Sequence, residues 1–168
     1  MSEFLDGWIS TAISRQQQKP PQDKQPNALS FNDAALLARF AAEEAQAISV
    51  PMVFSLADAS GQQRYFFSME NALLISNRLA PEKALTAVAL KMATHELAAR
   101  IQPGAELYGL QHQHGLCCIG GGLPCWSQGV LLGAIGISGG TVEQDIRVAR
   151  NTLSRFSTTR FVLTPGHN

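Results

Sequence analysis

The stretch from Gly120 to Asp145, GGGLPCWSQGVLLGAIGISGGTVEQD, constrains the fold most, because glycines punctuate an unbroken apolar run, VLLGAIGI, just before a helix start. Glycine inside regular structure costs about 0.5–1 kcal/mol relative to alanine, so this density marks backbone that a Cβ would obstruct. Val130 to Ile137 has the length of a buried strand, and Gly133 and Gly136 within it mark bulges or the close approach of another backbone. Ser138-Gly139-Gly140 then turns the chain. Thr141 followed by Gln144 matches a capping box, and Glu143 and Asp145 suit the positive end of the first helical turn. The helix that follows carries Val142, Ile146, Ala149, Leu153 and Phe156 at helical spacing, one core-facing stripe.

A glycine loop before a helix N-terminus also suits phosphate, but the stretch holds no GxGxxG or GxxxxGK[ST], and Glu143 and Asp145 repel an anion there. The segment therefore reads as a fold determinant. No serine nucleophile elbow is present either: GISGG around Ser138 is not GxSxG, and no histidine follows until His167 in the tail.

Thirteen basic and thirteen acidic side chains in 168 residues give no electrostatic case for nucleic acid. No apolar run approaches the roughly 20 residues of a membrane span. The cysteines, Cys117, Cys118 and Cys125, are odd in number and flank the glycine turn, which points to a reducing, cytoplasmic setting rather than a disulfide framework. Their spacing is not that of a CxxC metal site, so they read as small buried hydrophobes.

The first thirty residues differ from the rest. Phe4, Leu5, Trp8, Ile9, Ala12 and Ile13 line one face of a short amphipathic helix, and Arg15 to Asn27, RQQQKPPQDKQPN, is an extended Gln/Pro linker. Acidic Glu3 and Asp6 and the interrupted apolar run argue against a secretory signal. The division is thus 1–29 helix and linker, 30–157 domain, 158–168 tail. A helix of about a dozen residues is marginal alone, so it packs on its own domain or docks in a partner's groove.

Within the domain, SFND from Ser30 is an N-cap signature leading into a helix with Leu36, Leu37, Phe40 and Ala41. Val50 to Ala57 and Gln62 to Ser68 form a hairpin about Asp58-Ala59-Ser60-Gly61. Asn71 to Ala99 is helical, with Pro81 in the first turn of a fresh helix. Leu116 to Ile119 pairs with Val130 to Ile137 as a second hairpin. The order α-β-β-α-α-β-β-α is an α+β plan: an antiparallel sheet of about five strands flanked by helices.

ADASG at 57–61, APEKALTAVALKMAT at 80–94, QPGAELYGLQ at 102–111, GGGLP at 120–124 and GVLLGAIGISGGTVEQD at 129–145 occur in the order seen in the GlcG/HbpS family. That family includes the C-terminal domain of PduO and is described as heme-binding or heme-degrading. The resemblance spans about residues 29–156 and implies a profilin-like fold, a homo-oligomer and, for some members, heme. The chain departs from the family at Ser68-Met69-Glu70-Asn71, where members carry arginine-methionine-aspartate-glycine, and at Pro81-Glu82, where they carry arginine-aspartate. The N-terminal helix and linker resemble encapsulation peptides of bacterial microcompartments, such as those for diol metabolism, which implies a shell partner met through Phe4, Leu5, Trp8, Ile9 and Ile13.

A heme iron wants His, Met, Cys or Tyr beside apolar surface, and no CxxCH is present, so any heme is held non-covalently. His95 is the best placed ligand, with Thr94 beside it and Lys83 at a family motif position as a binding cation or an ordinary surface charge. His112 and His114 in QHQHG lack a third and fourth metal ligand. No acid/base pair is visible, so no catalytic or metal residues are named. Two functions remain: an accessory protein binding heme or a corrinoid-like cofactor, and a non-enzymatic scaffold or cargo protein of a microcompartment.

Overall fold

The computed structural model describes residues 28–163; the amphipathic segment, its linker and the last residues lie outside them. Helix α1 (Phe31–Ala47) is followed by strands β1 (Val53–Asp58) and β2 (Gln63–Ser68), helices α2 (Ser76–Leu90) and α3 (Thr94–Arg100), and a 3-10 turn at Tyr108–His112. Strands β3 (Gly122–Ser127) and β4 (Val130–Ser138) and helix α4 (Val142–Leu163) complete the order. The strands form one antiparallel sheet in the order β2-β1-β4-β3.

Both cap signatures operate. Ser30 Oγ accepts from the Asp33 N–H, and the Asp33 carboxylate accepts from the Ser30 N–H. At α4 the Gln144 N–H donates to Thr141 Oγ1 at 3.2 Å, and Gln144 Oε1 accepts from the Thr141 N–H at 2.8 Å. Each box satisfies two amide donors that a helix start leaves open. The β1–β2 turn is closed by Asp58 Oδ1, which accepts from the Ser60 and Gln62 N–H groups.

Three expectations are corrected. The sheet has four strands among the described residues, not about five. The partner of β4 is Gly122–Ser127 rather than Leu116–Ile119, because Gln128 and Gly129, both at positive φ, supply the two-residue turn that joins twisted antiparallel strands. Leu116–Ile119 instead lies against α2, where the Cys117 N–H donates to Thr86 Oγ1. Helix α2 also runs through Pro81 and ends only at Lys91, whose left-handed φ of 51° stops it; α3 is the fresh helix. The departure at Asn71 is conformationally mild: its φ is 64°, a region asparagine tolerates better than most residues.

Helices cover both faces of the sheet. On one, Phe54, Leu56, Leu123, Ile135 and Ile137 pack with Leu37 and Phe40 of α1 and Val148 and Phe156 of α4. Burying each such side chain contributes about 1.5–3 kcal/mol. Arg155 binds α4 to α1, pairing with Glu43 and Glu44 and lying 4.2 Å from the centre of the Phe40 ring. On the other face Ala57 and Ala134 meet Ala84, Ala87 and Val88 of α2. Small residues let α2 come close. At Gly136 an added Cβ would collide with the Ala80 carbonyl oxygen, so this glycine sets the helix-to-sheet distance.

The final helix keeps a core stripe, but not quite the expected one. Asp145, Val148, Ala149, Thr152 and Phe156 are the buried positions, while Val142 is 42% exposed and Ile146 is half-buried. The helix continues past residue 157, so the segment assigned to the tail begins as helix.

Candidate functional site

The segment from Leu116 to Gly122, which leads into β3, is pinned at both ends. At its start Thr86 of α2 accepts from the Cys117 N–H at 2.8 Å and donates to the Glu82 carbonyl at 2.7 Å. At its end Thr94, fully buried at the first position of α3, accepts from the Gly122 N–H at 2.9 Å. A Cβ on Gly122 would strike the Lys83 carbonyl oxygen, so only glycine permits this approach.

Behind the segment lies a buried ion pair. Lys83 Nζ, 1% exposed, donates to Asp145 Oδ2 at 2.7 Å and to the Ile137 carbonyl at 2.9 Å. Asp145 Oδ1 accepts from the Gly140 N–H at 2.9 Å. Burial pushes the Asp145 carboxyl above its usual range, against the pull of the Lys83 ammonium and the Gly140 and Gly139 amides. Lys83 is thus neither a surface charge nor facing solvent: it joins α2, the end of β4 and the first turn of α4.

In front of the segment the surface is apolar with a basic edge. Ile119 is 44% exposed, and Gly120 sits so close over α4 that an added Cβ would lie 2.7 Å from Ile146 Cδ1 and 3.0 Å from Val142 Cγ1. Val142, Ile146 and Arg150 follow at i, i+4 and i+8 on one side of α4. Arg150 reaches the half-buried His95, its Nη2 3.2 Å from Nε2. The other ring nitrogen, Nδ1, is buried and has no hydrogen-bond partner among the described residues.

The three residues singled out from sequence therefore gather around one segment. Thr94 and Lys83 hold it from inside, and His95 emerges beside it next to α4. Sequence reasoning missed Asp145 as the partner of Lys83, Arg150 as the partner of His95, and the outward turn of Val142. The spacing of 142, 146 and 150 is present in the sequence, but 142 and 146 fit a core stripe equally well.

Other candidates have plain places. His112 stacks edge-on with Tyr108 at 6.3 Å in the polar loop, and no group of three metal-binding side chains occurs among the described residues. The cysteines are free; Cys117 and Cys125 are buried, and burial pushes the Cys125 thiol up to about 11. His167 lies outside the described residues. No helix among the described residues is long and apolar enough to cross a membrane.

Comparison with known proteins agrees with this fold. The chain is 49% identical over 140 residues to the corrinoid adenosyltransferase PduO of Salmonella typhimurium strain LT2, an alignment covering 81% of this chain and 42% of PduO. It thus spans less than half the length of that relative. Among solved structures, a PduOC:heme complex is 50% identical, with a TM-score of 0.73, covering 76% of this chain and 94% of that one. The Klebsiella pneumoniae protein ORFY is 36% identical, with a TM-score of 0.75, covering 83% and 98%. The family described as haem degrading protein HbpS-like matches residues 29–154, and the chain belongs to that family.

Proposed function

We propose that this chain is an accessory protein that holds heme non-covalently through His95. The observation that carries this reading is its 50% identity to a protein crystallised with heme, along nearly all of that protein's length. The residues around Ile119 fit such a group: one imidazole, an apolar strip of Ile119, Val142 and Ile146, and the guanidinium of Arg150. Bound heme supplies an iron centre whose chemistry its axial ligand and surroundings tune.

The chain's own residues do the holding. His95 offers Nε2, since its other nitrogen is buried. Thr94 and Lys83 act at one remove, fixing Gly121 and Gly122 so that Ile119 and Gly120 lie over α4. These side chains bind and orient, and the protein is read first as a carrier. A corrinoid-like cofactor is the alternative occupant, in keeping with the name of PduO. Titrating the protein with heme is the test: a Soret band should grow to saturation and weaken in His95→Ala, and a flat spectrum sinks the reading.

The protein also assembles with copies of itself in this account. Leu73, Leu74 and Ile75, ahead of α2, are 60%, 87% and 51% exposed, a run that a monomer rarely leaves open to water. Residues 1–18 carry the assembly into a bacterial microcompartment, a reading supported by the apolar spacing of Phe4, Leu5, Trp8, Ile9 and Ile13 ahead of a polar linker. A scaffold or cargo role without any cofactor rests on that same segment.

A further inference from the structure

The contact between Arg150 and His95 has a defined polarity. A guanidinium only donates, so Nε2 of His95 must accept, and the neutral ring then carries its proton on Nδ1. Nδ1 is buried, which leaves Nε2 as the nitrogen that faces outward. The lone pair that a metal would need is therefore the one Arg150 occupies.

Arg150 itself is poorly matched. Among the described residues no carboxylate lies within ion-pair distance of it, and its neighbours one helical turn away on α4 are Ile146, Arg147, Leu153 and Ser154. Four other arginines find acids: Arg39 and Arg155 meet Glu43, Arg64 meets Asp58, and Arg78 meets Glu82; the exposed Arg100 and Arg147, like Arg150, have no ion pair among the described residues. Arg150 is exposed, next to an apolar strip and a second basic side chain, Arg147. An imidazole is a weak substitute for a carboxylate as the acceptor of a guanidinium.

We infer that Arg150 is a latch on His95 that a carboxylate-bearing ligand releases: the ligand's carboxylate takes the guanidinium, and Nε2 becomes free. The site thereby selects ligands that pair an acidic periphery with an acceptor for the imidazole. This rests on His95 being the ligating residue, as proposed above. The latch makes Arg150 a positioning and selectivity residue. It opposes ligation when no anion is offered and favours it when one is.

The two roles have opposite signs, which separates them from simple packing. Wild type and Arg150→Ala are titrated with heme and with heme dimethyl ester, whose carboxylates are blocked, and the Soret change is followed. Wild type should prefer heme over the diester by about two- to fivefold, the range of one exposed charge-assisted contact. In Arg150→Ala that preference should vanish while the diester binds more tightly than it does to wild type. Arg150→Lys should retain the preference in part. In the ligand-free protein, imidazole 15N shifts should show the proton on Nδ1 in wild type, with the tautomers mixing in Arg150→Ala.

Heme binding with the same heme-to-diester ratio in wild type and Arg150→Ala overturns the latch and leaves heme binding standing. A wild-type proton on Nε2 overturns it as well. No Soret change with either compound in wild type overturns the heme reading and the latch with it.

Discussion

Lys83 Nζ lies 2.7 Å from Asp145 Oδ2 with both side chains almost fully buried, so the cation of one family motif and the acid of another form a single internal cross-link. Burial holds the Asp145 carboxyl above its usual range despite this ammonium. Removing one partner leaves a buried charge alone. Lys83→Met or Asp145→Asn should each destabilise the fold by about 3–5 kcal/mol in denaturant unfolding, while Lys83→Met with Asp145→Leu should recover most of that loss. A double variant that loses the sum of the two single losses would show that the pair is not coupled.

Glycines of one run should differ in their tolerance of alanine. At Gly136 the obstacle is the Ala80 carbonyl, which is backbone, so Gly136→Ala should lower stability by about 1–3 kcal/mol or more. At Gly120 the nearest atom is Ile146 Cδ1, the end of a movable side chain, so Gly120→Ala should cost less. Thermal unfolding of both variants checks the order, and the reverse order would contradict this view of how α2 meets the sheet.

Leu74, 87% exposed, tests the assembly. Leu74→Glu should reduce the mass measured by light scattering from an oligomer toward a monomer without altering the far-ultraviolet spectrum. An unchanged mass would move the interface elsewhere on the protein.

A fluorescent reporter carrying residues 1–18 should form puncta in cells that make microcompartment shells and stay diffuse in cells that do not. Diffuse fluorescence in both would leave the segment without a targeting role.

Much of the fold was legible because local chemistry and global packing agree. The Ser30 and Thr141 boxes, the Asp58 turn and the glycine-spaced β4 each state their own conformation in a few residues. The errors lie where a long-range contact decides. Leu116–Ile119 has a strand's composition, but Thr86, some thirty residues earlier, takes the Cys117 amide, and the chain joins the sheet only at Gly122. Pro81 looked like a helix start because its missing amide is free of cost there; α2 carries it one turn further in. Around the candidate site, Lys83 and Thr94 stand in a family motif, and His95 is visible only as a residue type beside it. Their partners Asp145, Gly122 and Arg150 are 62, 28 and 55 residues away in sequence, and no local pattern encodes such pairings.

Heme ligation by His95 is the claim on which the functional account stands, and imidazole rescue tests it most directly. Titrated with heme, His95→Gly should show a weaker, shifted Soret band than wild type, and added imidazole should restore the wild-type spectrum by replacing the missing side chain. A His95→Gly protein that binds heme with the wild-type spectrum and affinity, indifferent to imidazole, would contradict it.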